Sequence, residues 1–303
     1  MEQGKNELGG HIIALVTICV WGSTFIFSKT LLQAFTPVQI MLMRFIVAYA
    51  MLWCLYPKTE AATVRDNLGF FLMSLFADTV YFLCENNALR YTLSSNVSII
   101  VASAPIWTAA LAHFLSKGDK VRKNTVYGSL IAFIGVALVV FNGAVVLKFN
   151  PLGDMLSMAA AISWAVYSII MSGYVHRFSS FFLMRRMTFF AILTTLPIAL
   201  VTGELKLPLY EFADPYKLFC IAFLGILGSG VSYVTWNIAT RRLGIVKVNT
   251  YIYVNPFVTL ITGALFLNEP ITPMSVIGAL LIISGVVIGV RERRPVPEGR
   301  GKK

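Results

Sequence analysis

Asp78, Tyr81 and Glu85 stand at intervals of three and four residues inside a run that is otherwise apolar. On a helix this spacing places all three on one face, and Asn86 and Asn87 carry it outward. Two acids and a phenol on one face can exchange protons or hold an ammonium group. They do not face lipid cheaply: one charged side chain at the bilayer centre costs about 2.5–3.5 kcal/mol on insertion scales. The face is therefore expected to line an internal polar site. Asp78 is the first candidate for a group that changes protonation between two states and couples solute movement to a proton gradient. A hydrogen-bonded acid that merely pins two helices is the other reading. Glu85 is the second proton-coupling candidate, with pairing to Arg90 or Lys29 as its structural alternative.

Arg44 falls about two turns inside the outer end of the second apolar run. Its planar fork suits a carboxylate; pairing with Glu85 or snorkelling to headgroups are the alternatives. Arg185 and Arg186 open a later run, where snorkelling or contact with anionic lipid is expected. Aromatic residues gather at midplane depth. Trp21, Trp107 and Trp164 lie near the centres of their runs, and Tyr167, Tyr233, Trp236 and Tyr253 lie within about two turns of centre. Together with Arg44, Tyr81 and Asn86 they form the expected substrate-binding set. Such a lining suits an aromatic amino acid, or a quaternary ammonium through cation–π contacts. Plain helix packing would use the same residues.

Other chemistry is not written into the chain. The histidines His11, His113 and His176 have no metal-like neighbours, and no zinc-protease motif occurs. Cys19, Cys54, Cys84 and Cys220 have no ligand spacing and are read as small apolar fillers. A Gly-x-Ser-x-Gly elbow and a phosphate-binding Gly-x-x-x-x-Gly-Lys loop are both missing. No enzyme, metal, cofactor or direct use of ATP is expected.

The elements that must position these residues are membrane helices. The chain is 57% hydrophobic and 13% charged, with a mean hydropathy of +0.75. A soluble domain carries about 25% charged residues. Runs at about 11–32, 38–56, 68–90, 94–116, 124–146, 152–174, 180–202, 218–240, 246–268 and 272–291 are long enough to span a bilayer. The expected fold is an all-α integral membrane protein of ten transmembrane helices. The first run lacks a small-residue cleavage site and is read as a retained helix. The net charge of +11 is spread over short loops rather than a folded surface, which argues against nucleic acid. Lys58, Arg65, Lys117, Lys120, Arg122, Lys123, Arg177, Arg241, Arg242, Lys247, Arg291, Arg293 and Arg294 all fall on one side, which is expected to be cytoplasmic. Both termini are then cytoplasmic and the location is the cell membrane.

A stretch of the chain occurs twice. Asn86-x-Ala88-x-Arg90 with Val97 and Pro105 recurs as Asn237-x-Ala239-x-Arg241 with Val248 and Pro256, at one offset. Trp21 and Phe35 match Trp164 and Phe178; Gly128 and Gly135 match Gly278 and Gly285. Helices one to five therefore correspond to helices six to ten. Five is odd, so the second copy enters from the opposite side: two inverted five-helix repeats, with a site expected at the midplane between them. The expected divisions are a cytoplasmic N-terminus 1–10, repeats 11–146 and 152–291, and a basic cytoplasmic tail 292–303. Pro105 and Pro256 are read as mid-helix breaks or hinges that free a carbonyl. Gly285-x-x-x-Gly289, Gly128 and Gly135 mark close packing, within one chain or across a weak homodimer.

Several segments resemble the drug/metabolite transporter superfamily, in particular its EamA-type ten-helix members. They are Trp21-Gly22-Ser23-Thr24-Phe25 with Pro37 and Arg44, Asn87-Ala88-Leu89-Arg90-Tyr91 through Pro105, and Gly263-Ala264-Leu265-Phe266-Leu267-Asn268-Glu269-Pro270 followed by Gly278 and Gly285. The resemblance covers nearly the whole chain. It implies a secondary transporter of small organic metabolites such as amino acids, more often exporting, working by alternating access in the cytoplasmic membrane. Transport of quaternary ammonium or other organic cations is the alternative. The family's glutamate at the end of each repeat's fourth helix is kept at Glu269 and replaced by Gly118-Asp119 in the first repeat. The implied partners are a small-molecule substrate, the lipid bilayer and protons.

Overall fold

Helix starts are written into the sequence as caps. Thr36 caps helix two (Pro37–Leu55) through a capping box with Gln39, and Pro37 fills the first turn. Thr63 and Asp66 form the same box at the start of helix three. Asn150-Pro151 opens helix six (Pro151–Ser172), Ser179 caps helix seven (Ser180–Val201), and Asp214-Pro215 opens helix eight. Gly244, at φ 81°, ends helix eight with a turn that a side chain would strain.

The computed structural model describes residues 2–91, 97, 100–115, 123–141, 150–267 and 271–290. Among these residues the chain is all-helical, in ten helical units. Helix one is Glu2–Leu31. Helix three is Val64–Ser74, a π-helical stretch Leu75–Val80, and Tyr81–Tyr91. Helix four contains Ala104–Leu115 and helix five is Lys123–Phe141. Helix eight is Pro215–Ala222, a longer π-helical stretch Phe223–Val231, and Ser232–Leu243. Helix nine is Ile245–Asn249, a 3-10 stretch Thr250–Val254, and Asn255–Leu267. Helix ten is Pro273–Val290. Six helices, about residues 6–28, 37–55, 64–88, 151–172, 180–201 and 215–243, are long and apolar enough to cross a membrane, and shorter apolar helices cover 123–138 and 276–290. The protein is a multi-pass membrane protein. Glu269 and the Gly118-Asp119 position lie outside the described residues, as do the side chains of Lys29 and Arg90.

Packing follows the exchange of repeats. Helix one lies on helices eight and nine, and its counterpart helix six lies on helices three and four. Helix two packs on helix seven, and helix five on helix ten. The glycines explain the last pair: a side chain at Gly128 would sit 2.4 Å from the Gly285 carbonyl oxygen, and one at Gly135 would sit 2.6 Å from that of Gly278. Each contact is the other's image under the exchange. The stripe of small residues is thus used inside one chain.

Three expectations change. Helix one begins at Glu2, so most of the segment expected as a separate N-terminus is its first turns; Gly9 and Gly10 lay that backbone against Arg242 and Leu243 of helix eight. The prolines stand at helix breaks, as expected, but do not kink a continuous helix. Each follows a break and sits in the first turn of the helix after it, Pro105 behind a turn at 102–103 and Pro256 behind the 3-10 stretch. Proline lacks an N–H, and the first turn is where none is needed. At the second break the Asn255 N–H tightens onto the Ile252 carbonyl, the group that Pro256 would otherwise leave free, and at the first Ser103 donates to the Ile100 carbonyl. Finally, only Cys220 of the four cysteines is buried, while Cys19 and Cys54 face outward.

Candidate substrate site

Three buried charged side chains come together between helices two and three. Arg44 is 6% exposed, Asp78 4% and Glu85 6%. The Arg44 Nε donates to the Ser229 hydroxyl at 2.7 Å, and its guanidinium lies 4.6 Å above the Phe82 ring. Asp78, Glu85, Tyr81 and Tyr233 surround it closely enough to feel its charge. Among the described residues neither acid forms a salt bridge with it. None of the fork's five donors is thus committed to a carboxylate among the described residues. The Tyr81 hydroxyl lies against Glu85, one turn on, as the spacing predicts. Ser74 and Tyr233 flank Asp78, and Tyr167 is close by.

The π-helical stretches bring these groups together. A π-turn inserts an extra residue into a helix and is often found at functional sites. Asp78 lies in the stretch of helix three and Ser229 in that of helix eight, at positions related by the repeat offset. Carbonyls loosened by the two stretches accept from the facing helices in nearly symmetric fashion. Trp21 Nε1 of helix one donates to the Gly228 carbonyl at 2.9 Å, and Ser163 of helix six, beside Trp164, donates to the Phe76 carbonyl at 2.6 Å. The scaffold is symmetric, while the acid occupies one bulge and the hydroxyl the other. Arg44 reaches both.

The aromatic set divides. Trp21 contacts Trp164, Tyr233 and Trp236 at ring-centroid distances of 5.4, 5.3 and 5.0 Å. Trp164 also meets Tyr81 at 5.7 Å and Tyr167 at 5.1 Å. These six rings form one cluster beside Asp78. They pack edge to face or tilted on one another rather than standing apart as a cage. The Tyr167 hydroxyl, Trp236 Nε1 and Ser74 hydroxyl are buried without a hydrogen-bond partner among the described residues. Trp107 and Tyr253 make no ring contact with the cluster. Trp107 is half-buried and donates to Ser103 at 3.1 Å, and Tyr253 packs toward Ser129 of helix five. Asn86 is half-buried one residue beyond Glu85, and Asn87 donates to the Leu83 carbonyl.

Asn249 belongs to the site and was not anticipated. Fully buried on helix nine, it accepts from Trp164 Nε1 at 3.0 Å and Ser168 at 3.4 Å, and donates to the Ile245 carbonyl. It fixes the orientation of Trp164. Asn249→Ala is expected to cost about 1–3 kcal/mol, because the indole N–H loses its acceptor in a buried site. Ser168→Ala, which leaves the indole bond in place, is expected to cost less. Thermal unfolding of the two variants in detergent checks the order; equal losses would remove Asn249 from this role.

The end of the molecule holding the loops between helices two and three, and six and seven, is interlocked. Arg177 pairs with Asp66 at 2.8 Å, Arg186 donates to Asn67 at 2.7 Å, and Glu60 accepts from the Ser179 amide. Arg241 donates to the Phe178 carbonyl at 2.7 Å. At the opposite end Thr36 bonds to Glu204, and Gln39 donates to the Lys206 carbonyl at 3.0 Å.

Known proteins place this architecture. A crystal structure covers 92% of this chain and 97% of its own at a TM-score of 0.80 and 18% identity, which shows a shared fold. An uncharacterized transporter of Archaeoglobus fulgidus is 26% identical over 92% of this chain and 96% of its own length. A protein of Escherichia coli (strain K12) named a probable amino-acid metabolite efflux pump is 24% identical over 95% of this chain and 98% of its own length. The Salmonella typhimurium protein of the same name is 26% identical. The model of the EamA-like transporter family matches residues 8–141 and again 151–291. The chain belongs to the EamA-like transporter family, and it is a membrane transporter rather than an enzyme.

Proposed function

We propose that this transporter exports amino-acid-like metabolites by alternating access, with both termini in the cytoplasm. The observation that carries the reading is Arg44, a buried guanidinium with Asp78 and Glu85 beside it and no salt bridge to either. A zwitterion has one group for each sign: its carboxylate for the Arg44 fork, its ammonium for the acids. The ring cluster offers the side chain an apolar wall. The efflux-pump relatives named above support the same class. Export of the substrate is driven by protons that Asp78 takes up and gives back as access alternates. A second reading, an organic cation held by the acids and ring faces, is favoured by the Trp21, Trp164 and Tyr233 cluster alone.

Proteoliposomes test this. Wild-type protein is expected to show amino-acid counterflow and to accumulate substrate against its gradient when a proton gradient is imposed. Asp78→Asn is expected to keep counterflow within a few-fold and to lose the proton-driven accumulation. Unchanged accumulation would remove Asp78 from coupling. Counterflow of quaternary amines and none of amino acids would replace the first reading by the second.

A further inference from the structure

Away from the central site, helices two and seven form a recess at the interlocked end, with the exposed Trp53 and Phe189 among its walls. Its volume is about 120 Å³. Its walls include Tyr49, Trp53, Thr59, Glu60, Arg185 and Arg186. Arg185 is buried, stacks 4.5 Å over the Trp53 ring, and gives N–H groups to the Tyr56 and Lys58 carbonyls. Arg186 gives one to Asn67, and its Nε is buried with no partner among the described residues. The one acid lining the recess among the described residues, Glu60, turns its oxygens to the Ser179 amide and the Tyr56 hydroxyl. Two guanidiniums therefore share the recess with one carboxylate already engaged.

An apolar track leads from the recess toward the membrane centre. Ile46, Tyr49 and Trp53 recur at helical spacing on helix two, and Phe189 and Leu193 follow Arg185 on helix seven. Tyr49 and Phe189 meet at 6.1 Å across the two helices, and Ile46, Trp53, Phe189 and Leu193 are all exposed. Such exposure is what a lipid tail covers.

We propose that this recess binds an anionic phospholipid, its phosphate on Arg185 and Arg186 and its acyl chain along Ile46, Tyr49, Phe189 and Leu193. The planar forks suit phosphate oxygens, and Trp53 sits at the headgroup boundary. The depth of a phosphate and the direction of a tail fit the order of the residues along both helices. Because Arg185 and Arg186 also hold Tyr56, Lys58 and Asn67, the lipid would brace the interlocked loops between helices two and three.

The test uses the full chain in detergent with phosphatidylglycerol and phosphatidylcholine of identical acyl chains, read by native mass spectrometry. One phosphatidylglycerol is expected to be retained with a preference of about fivefold or more per guanidinium. Arg186→Gln should lower that preference about fivefold, while Arg242→Gln, an exposed arginine at the same end, should leave it unchanged. Equal retention of the two lipids, or an unchanged preference in Arg186→Gln, would overturn the proposal. Thermal protection of the wild type by inorganic phosphate alone, equal to that by phosphatidylglycerol, would mean a free-anion site and overturn it too. Should Arg186→Gln fail to fold, phosphatidylglycerol with brominated chains decides. It should quench the wild type more than Trp53→Phe, whereas brominated phosphatidylcholine should not distinguish them.

Discussion

Arg44→Gln is expected to lower amino-acid transport by two orders of magnitude or more while leaving a folded protein. Removing one member of a buried, hydrogen-bonded charge cluster costs about 2–5 kcal/mol, and each 1.4 kcal/mol is about tenfold. Here the loss falls on two processes. The substrate carboxylate loses its fork, and Asp78 and Glu85 lose the cation that compensates them. The variants Arg44→Gln/Glu85→Gln separate the two: the double change should recover expression and thermal stability without recovering transport. Arg44→Lys keeps the charge but not the planar fork, and should fall between wild type and glutamine. Ser229→Ala removes the hydrogen bond and not the charge, so its effect should stay within about tenfold. Uptake by folded Arg44→Gln within threefold of wild type would end the carboxylate assignment. If that uptake were of quaternary amines, the organic-cation reading would stand instead.

What could be read from the sequence follows from what is expensive in lipid. Asp78, Glu85 and Arg44 stand out because a charge in an apolar run must be explained, and the structure does bring them together. Position along a span was also legible, and with it the depth expected of a residue. Azimuth was not. Trp21, Trp164, Tyr167, Tyr233 and Trp236 turn toward one point, while Trp107 and Tyr253 at similar depth turn elsewhere, and only helix packing decides which.

Neutral polar partners left weaker signals. Ser229 is visible as the image of Asp78 in the second repeat, although nothing in its own neighbourhood distinguishes it. Asn249 follows Val248 of the repeat motif, but its bond to Trp164 joins residues far apart in sequence. The π-helical stretches have no residue-level signature in helix three. In helix eight Gly225, Gly228 and Gly230 hint at one. Each stretch is held by a side chain from the other repeat, which is why a reading along the chain does not find it.

The glycines give the second large effect. Gly128 and Gly285 bring the backbones of helices five and ten together: a side chain at Gly128 would sit 2.4 Å from Gly285 O and 2.5 Å from Gly289 N, and one at Gly285 would sit 2.4 Å from Ala132 N. All three obstacles are backbone atoms, so no rotamer change relieves them. Gly128→Leu or Gly285→Leu must part the two helices along their shared face. Overpacking costs about 1–3 kcal/mol and occasionally more. Here the loss should reach the top of that range, seen as a collapse of monodisperse protein in size-exclusion chromatography. The pattern of double changes is the sharper check. Gly128→Ala and Gly285→Ala relieve the same contact once the helices have moved, so their costs should sum to less than additive. Gly128→Ala with Gly278→Ala acts at the two opposite ends of the symmetric crossing, and should come closer to additivity. Wild-type stability in all three alanine variants would mean that helices five and ten are not in backbone contact.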